Sequence, residues 1–122
     1  MTLTPEEAAA TTDAMFLDVR ELFEWEAGHV SGSVHVPIGE IQDRYEEIDR
    51  TRSVVVVCQV GQRSALVADF LSAQGYDAHN LDGGLQQWAA RGLPLSSRDD
   101  GGTVVDGWAR DLDGRRLDGT ID

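Results

Sequence analysis

Val54, Val55, Val56 and Val57 stand in an unbroken row. A half-buried strand alternates apolar and polar residues, whereas a strand covered on both faces reads as a continuous β-branched run, as in a parallel sheet. The row runs directly into Cys58-Gln59-Val60-Gly61-Gln62-Arg63-Ser64, and then into an amphipathic run over Arg63–Gln74. Ala65, Leu66, Ala68, Phe70 and Leu71 fall near helical spacing there, and Gly75 is placed to stop the helix. The only cysteine of the chain is therefore expected where a buried strand turns into a helix, a place where open α/β sheets collect ligands.

The rest of the chain repeats that alternation. Thr4-Pro5-Glu6-Glu7 is a helix start, with Thr at the N-cap, Pro at the first position and Glu at the third, and the helix runs to about Ala10. Met15–Val19 reads as a strand, and Glu21–Ala27 as a helix with Leu22 and either Trp25 or Phe23 facing inward. Val34–Val36 is a brief strand stopped by Pro37, and Glu40–Ile48 reads as an acidic helix with Ile41, Tyr45 and Ile48 on one face. After Gly75 come a strand at Asp77–Leu81, a turn at Asp82-Gly83-Gly84 and a helix at Leu85–Arg91. This order predicts an α/β fold of three layers, a parallel sheet with helices on both faces.

From Ser96 the composition changes, with seven Asp and five Gly to the end of the chain. The division expected is a domain over 1–95 and an Asp/Gly-rich extension over 96–122, either a tail or two short strands held by Trp108. Asp111-Leu112-Asp113-Gly114 lacks the later acid of a calcium loop, and no metal site is expected.

Charge limits the partners. At −12 overall the surface repels nucleic acid and anionic membrane, so neither is expected. No apolar run approaches the ~20 residues that span a bilayer, and Met1–Ala10 lacks a basic segment followed by an apolar one, so the expected location is cytoplasmic. One cysteine excludes an internal disulfide.

The turn at Cys58 has its own chemistry. A short loop closing onto a helix start aims several backbone N–H groups into one concavity, and Gly61 suits the backbone conformation this needs. The helix adds about half a positive charge at its start and Arg63 a full one, both favouring thiolate over thiol. A lone cysteine after a valine-rich strand also serves as a small core hydrophobe. Polar Gln59–Ser64 is an odd wall for such a residue, which favours the reactive reading.

With these residues in view, the chain resembles the rhodanese homology domain. The resemblance rests on Leu17-Asp18-Val19-Arg20, Gly28-His29-Val30-Ser31-Gly32-Ser33 with Val36-Pro37, Cys58–Ser64, Gly75-Tyr76, Leu81-Asp82-Gly83-Gly84 with Trp88, and Gly92-Leu93-Pro94. It implies a single rhodanese-like domain with about five parallel strands. It implies a sulfurtransferase in which Cys58 takes a sulfane sulfur from thiosulfate or another persulfide or polysulfide donor and passes it to a thiol or cyanide acceptor, without a cofactor. Gln59, Val60, Gly61, Gln62, Arg63 and Ser64 would then cradle the small anionic donor, with Arg63 as an electrostatic cap and the Ser64 hydroxyl donating toward the sulfur. A protein acceptor is a further partner the resemblance allows, and a non-enzymatic protein-binding or persulfide-carrier module is the rival reading.

Four residues separate Cys58 from Arg63. That is the sulfurtransferase size within this family, one shorter than in its phosphatases, so phosphatase or arsenate-reductase chemistry is disfavoured. Gln59 stands where active relatives often carry a cation, which points to a donor less charged than thiosulfate. Asp18, Arg20 and His29 are read as structural, with Asp18 and Arg20 pairing to charges such as Glu24 or Glu26, and His29 bonding the turn through Gly32. His35 and His79 share no metal-ligand spacing with His29, and Trp88 is read as core.

Overall fold

A computed structural model describes residues 2–96. The expected strands or tail, and the partial calcium loop, lie outside the described residues. Ser96 still belongs to the body, forming an antiparallel bridge with His29 through hydrogen bonds of 2.7 and 2.6 Å.

Five parallel strands form one sheet: β1 (Thr2–Leu3), β2 (Met15–Asp18), β3 (Val34–His35), β4 (Val54–Val57) and β5 (Ala78–Leu81), in the order β1-β5-β4-β2-β3. The valine row is the central strand, with Val54–Val57 paired to Met15–Asp18 on one side and Val54–Val56 to Ala78–Asn80 on the other. Its alternation sends Val54, Val56 and then Cys58 to one face, Val55 and Val57 to the other. All five residues are 0–1% exposed.

On the Cys58 face lie α3 (Ile41–Arg44) and α4 (Gln62–Ala73), through Ile41, Val67, Ala68 and Leu71. On the other face lie α1 (Pro5–Ala10) and α5 (Gly84–Ala90), through Ala8, Leu85 and Trp88. The chain turns one way across the sheet after β2 and the other way after β4, so the crevice beyond their C-terminal ends is the place such sheets bind ligands. Cys58 is the first residue past β4.

Local signals act as the sequence implies at α1, where Thr4 accepts from the Glu7 amide at 3.1 Å and the Glu7 carboxylate accepts from the Thr4 amide at 2.9 Å. Elsewhere tertiary contacts override periodicity. The acidic segment expected as one helix is a 3-10 turn at Ile38–Glu40, the single α-turn α3, and a second 3-10 turn at Tyr45–Glu47. Glu46, Glu47 and Asp49 crowd what would be the negative end of a longer helix. The Tyr76 hydroxyl instead lies 2.8 Å from the Tyr45 carbonyl, which also accepts the Ile48 amide, and 3.0 Å from the Ile48 carbonyl, and its one proton serves one of them at a time.

The inward face of α4 is Ser64, Val67, Ala68 and Leu71, while Leu66 is 67% exposed. Apolar residues lie on both sides of this stripe, so the spacing of Ala65, Leu66, Ala68, Phe70 and Leu71 marks a rotated face. In α2 (Leu22–Ala27), Leu22 and Phe23 are exposed and only Trp25 is buried, stacked on His29 with ring centroids 3.6 Å apart. Edge strand β1, too short to show a period, was invisible beside the Thr4 cap.

Replacing Tyr76 by Phe takes the hydroxyl donor from the Ile48 carbonyl, while the Tyr45 carbonyl keeps the Ile48 amide at 3.0 Å. Urea unfolding is expected to show a loss of about 1–2 kcal/mol with an unchanged m-value.

Candidate functional site

Between β4 and α4 the chain makes an arch from Cys58 to Ser64 whose peptide groups are sorted by direction. The outward carbonyls of Cys58 and Gln59 accept from the first amides of α5, Leu85 N at 2.9 Å and Gln86 N at 3.0 Å. The inward amides of Gly61 and Ser64 lie 3.1 and 3.3 Å from the Cys58 sulfur. Gly61 makes the reversal possible at φ +101° in the left-handed region.

Gly84 allows α5 to approach this closely. A Cβ there would stand 2.5 Å from the Gln59 carbonyl oxygen and 2.6 Å from that of Cys58, and its φ is +64°. The turn read only as Asp82-Gly83-Gly84 is thus the clamp on the back of the arch.

Burial raises the Cys58 pKa, but hydrogen bonds from the Ser64 hydroxyl and amide and from the Gly61 and Val60 amides outweigh it, so the thiol ionises below its ordinary value. The residue exposes no area, so the sulfur lies on the floor of the cup rather than at its mouth. Gln59 and Val60 are exposed above it, and Gln62 begins α4 facing solvent.

The nearby cations are all engaged. Arg63 does not face the cup as a free cap: its guanidinium meets both Glu24 oxygens, at 2.8 and 2.9 Å. That contact, with the Glu21 amide at 3.0 Å, holds the Glu24 carboxyl down from the ordinary 4.5 to about 2. Arg20 forks onto Asp18, with Nη2 at 2.8 Å, and also donates to the Gly28 carbonyl at 2.6 Å and to Gln59 Oε1 at 3.3 Å. Asp18 and Arg20 therefore pair with each other rather than with Glu24 or Glu26. The His29 Nδ1 bonds the Trp25 carbonyl at 2.9 Å. His35 reaches the Arg20 carbonyl at 2.7 Å and His79 reaches Asp77 at 2.8 Å. Trp88 is core, its indole N–H on the Pro94 carbonyl at 2.9 Å.

Sequence reasoning missed two participants. Glu24, weighed only as a partner for Asp18 and Arg20, is the partner of Arg63, 39 residues away in sequence, and no local period reports such a pairing. Asn80 on β5 receives the Ser64 hydroxyl at 2.5 Å and donates to the Gly61 carbonyl at 3.3 Å. A polar residue near the C-terminal end of a strand next to β4 was its only signal.

Among the described residues, no group of three or more His, Cys, Asp or Glu gathers to hold a metal. No helix among them is long and apolar enough to cross a membrane.

Comparison with known proteins agrees with this architecture. The family model described as a rhodanese-like domain matches residues 4–91. The chain is 36% identical over 89 residues to the thiosulfate sulfurtransferase GlpE of Pseudomonas syringae pv. syringae, covering 70% of this chain and 84% of that protein. To a sulfurtransferase of Allochromatium vinosum it is 35% identical over 91 residues, covering 74% and 85%. Of one Bacillus subtilis relative, 34% identical over 76 residues, the chain spans only 41% of the length. The crystal structure of a rhodanese-related protein from Thermoplasma volcanium superposes with a TM-score of 0.78 at 30% identity, covering 80% of this chain and 98% of that one.

Because Glu24 ionises well below its unfolded value, its contribution to stability is complete above about pH 4.5 and is lost as the pH falls toward 2. Glu24→Gln is expected to be less stable than wild type at pH 7, with the gap in urea midpoints closing between those two values. Gly84→Ala, which forces a side chain into the Cys58 and Gln59 carbonyls, is expected to cost about 3 kcal/mol or more by the same measurement.

Proposed function

The chain belongs to the rhodanese-like family, two of whose members similar to it are named sulfurtransferases, and on that premise we propose that it moves a sulfane sulfur through a persulfide on Cys58. The observation that carries the reading is the pair of inward amides, from Gly61 and Ser64, aimed at the one thiol of the chain.

The Cys58 thiolate attacks the outer sulfur of the donor, and a new S–S bond forms. The donor's own S–S bond breaks with its electron pair leaving on sulfite, from thiosulfate, or on a thiolate, from a persulfide. An acceptor thiolate then attacks the outer sulfur of the Cys58 persulfide, and Cys58 departs as the thiolate it began as. The same N–H groups that favour the thiolate are placed to stabilise the anion in both half-reactions. Neither half-reaction calls for a metal or redox cofactor.

The charges around the cup bear on the donor. Gln59 is neutral, Arg63 is engaged by Glu24 and Arg20 by Asp18, so no unpaired cation borders the arch among the described residues. A dianion such as thiosulfate gains little from such a cup, and a polysulfide or a low-molecular-weight persulfide is the donor that suits it. The same pairing of Arg63 speaks against phosphate-ester chemistry, which needs a cation facing the phosphoryl oxygens. A cytoplasmic setting and an Asp/Gly-rich extension following the sulfurtransferase domain complete the reading.

Intact mass after incubation with thiosulfate, inorganic polysulfide or glutathione persulfide is expected to rise by one sulfur atom in wild type and not in Cys58→Ser. Polysulfide and persulfide are expected to load faster than thiosulfate, and Gln59→Lys to narrow that difference. A wild-type protein that stays unmodified with all three donors would overturn the reading.

A further inference from the structure

One hydroxyl in the cup is claimed twice. Ser64 Oγ lies 3.3 Å from the Cys58 sulfur and 2.5 Å from Asn80 Oδ1, and both contacts can be written with the hydroxyl as donor. A serine hydroxyl has one proton and two acceptor lone pairs, so only one of them can be served at a time. The oxygen is nearer by a wide margin and is the stronger acceptor, which directs the proton to Asn80 while Cys58 is a neutral thiol. The remaining arrangement is a chain: the Cys58 S–H donates to Ser64 Oγ, and the Ser64 O–H donates to Asn80 Oδ1.

The Asn80 amide cannot turn over to escape this role. Its Nδ2 donates to the Gly61 carbonyl at 3.3 Å, and exchanging the two ends would set Oδ1 against that carbonyl, acceptor against acceptor. Strand β5 thus fixes the amide by its backbone register, while the side chain touches both ends of the arch, at Gly61 and at Ser64.

We propose that Asn80 is a positioning residue that holds the Ser64 hydroxyl proton away from the Cys58 sulfur, so that the thiol is kept from ionising as fully as its amide-lined cup would otherwise allow. When the proton leaves Cys58, the hydroxyl is drawn toward the thiolate and the Asn80 acceptor is left behind. That lost contact offsets part of the stabilisation the cup offers. The consequence for sulfur transfer rests on Cys58 being the reacting thiol, because nucleophilicity falls with pKa and is best used when the pKa lies near the ambient pH. The competition for the proton concerns the thiol alone and stands apart from that reading.

The test is a pH titration of thiolate absorbance, corrected with Cys58→Ser and checked by the pH profile of iodoacetamide alkylation. One cysteine makes both signals unambiguous. Asn80→Ala is expected to lower the Cys58 pKa by about half a unit to one unit, because it releases the hydroxyl to the sulfur. Ser64→Ala is expected to raise it by a similar amount, and Asn80→Ala added to Ser64→Ala is expected to change nothing further. A loosened arch would remove amide donors and raise the pKa, the opposite sign. The charged groups around the cup, Arg63 with Glu24 and Arg20 with Asp18, are untouched throughout the series, so their influence is common to it.

If Asn80→Ala does not fold, Asn80→Asp carries the test. Its carboxylate holds the hydroxyl more firmly and is expected to raise the pKa more with Ser64 present than in the Ser64→Ala background. An unchanged or raised pKa in Asn80→Ala, or an effect of either Asn80 substitution that is equal with and without the Ser64 hydroxyl, would overturn the proposal. None of these outcomes depends on whether a sulfane sulfur is ever transferred, so this inference and the sulfurtransferase reading can fail separately.

Discussion

The site depends on the opposed directions of the peptide groups between Cys58 and Ser64. Outward carbonyls are held by the first amides of α5, and inward amides are left with the sulfur as their acceptor. Either half alone would be unstable: amides converging on a buried sulfur repel one another, and carbonyls turned from solvent need donors. The start of α5 solves both, since its first amides have no partners inside their own helix. A helix on the opposite face of the sheet from α4 thereby shapes a cup that the sequence places beside α4 alone.

Charge is handled in the same economical way. A chain with a net charge of −12 places two arginines beside its cup, and each is held by a carboxylate from α2 or the end of β2. These pairs order the walls: Glu24 ties α2 to the start of α4, and Arg20 ties β2, the Gly28 turn and Gln59 together. What remains to act on the Cys58 sulfur is the field of the backbone amides together with the Ser64 hydroxyl.

The fold was legible where the sequence acts locally or through a strict period. Four valines, the Thr4 cap and the strand-helix alternation suffice for a covered parallel sheet with Cys58 at its C-terminal edge. The broken helix at Ile38–Glu47 was not legible, because Tyr76, far along the chain, brings a hydroxyl to the carbonyls of Tyr45 and Ile48 at its end. The face of α4 was misread because apolar Ala65, Leu66 and Phe70 lie beside the inward stripe of Ser64, Val67, Ala68 and Leu71 and blur its period. Within the site, the cysteine, the loop and its glycine could be read directly. Glu24, Asn80 and Gly84 act across 39, 16 and about 25 residues of sequence, where only the three-dimensional arrangement reports them.

A sulfur with no area open to solvent sets a timing rule for every reagent that would meet it. Whatever approaches, alkylating agent, peroxide or a larger reagent, reaches the sulfur only when the groups covering it move aside. Fast reagents then share one ceiling fixed by the protein's own breathing, and slow ones are sorted by how little opening they require.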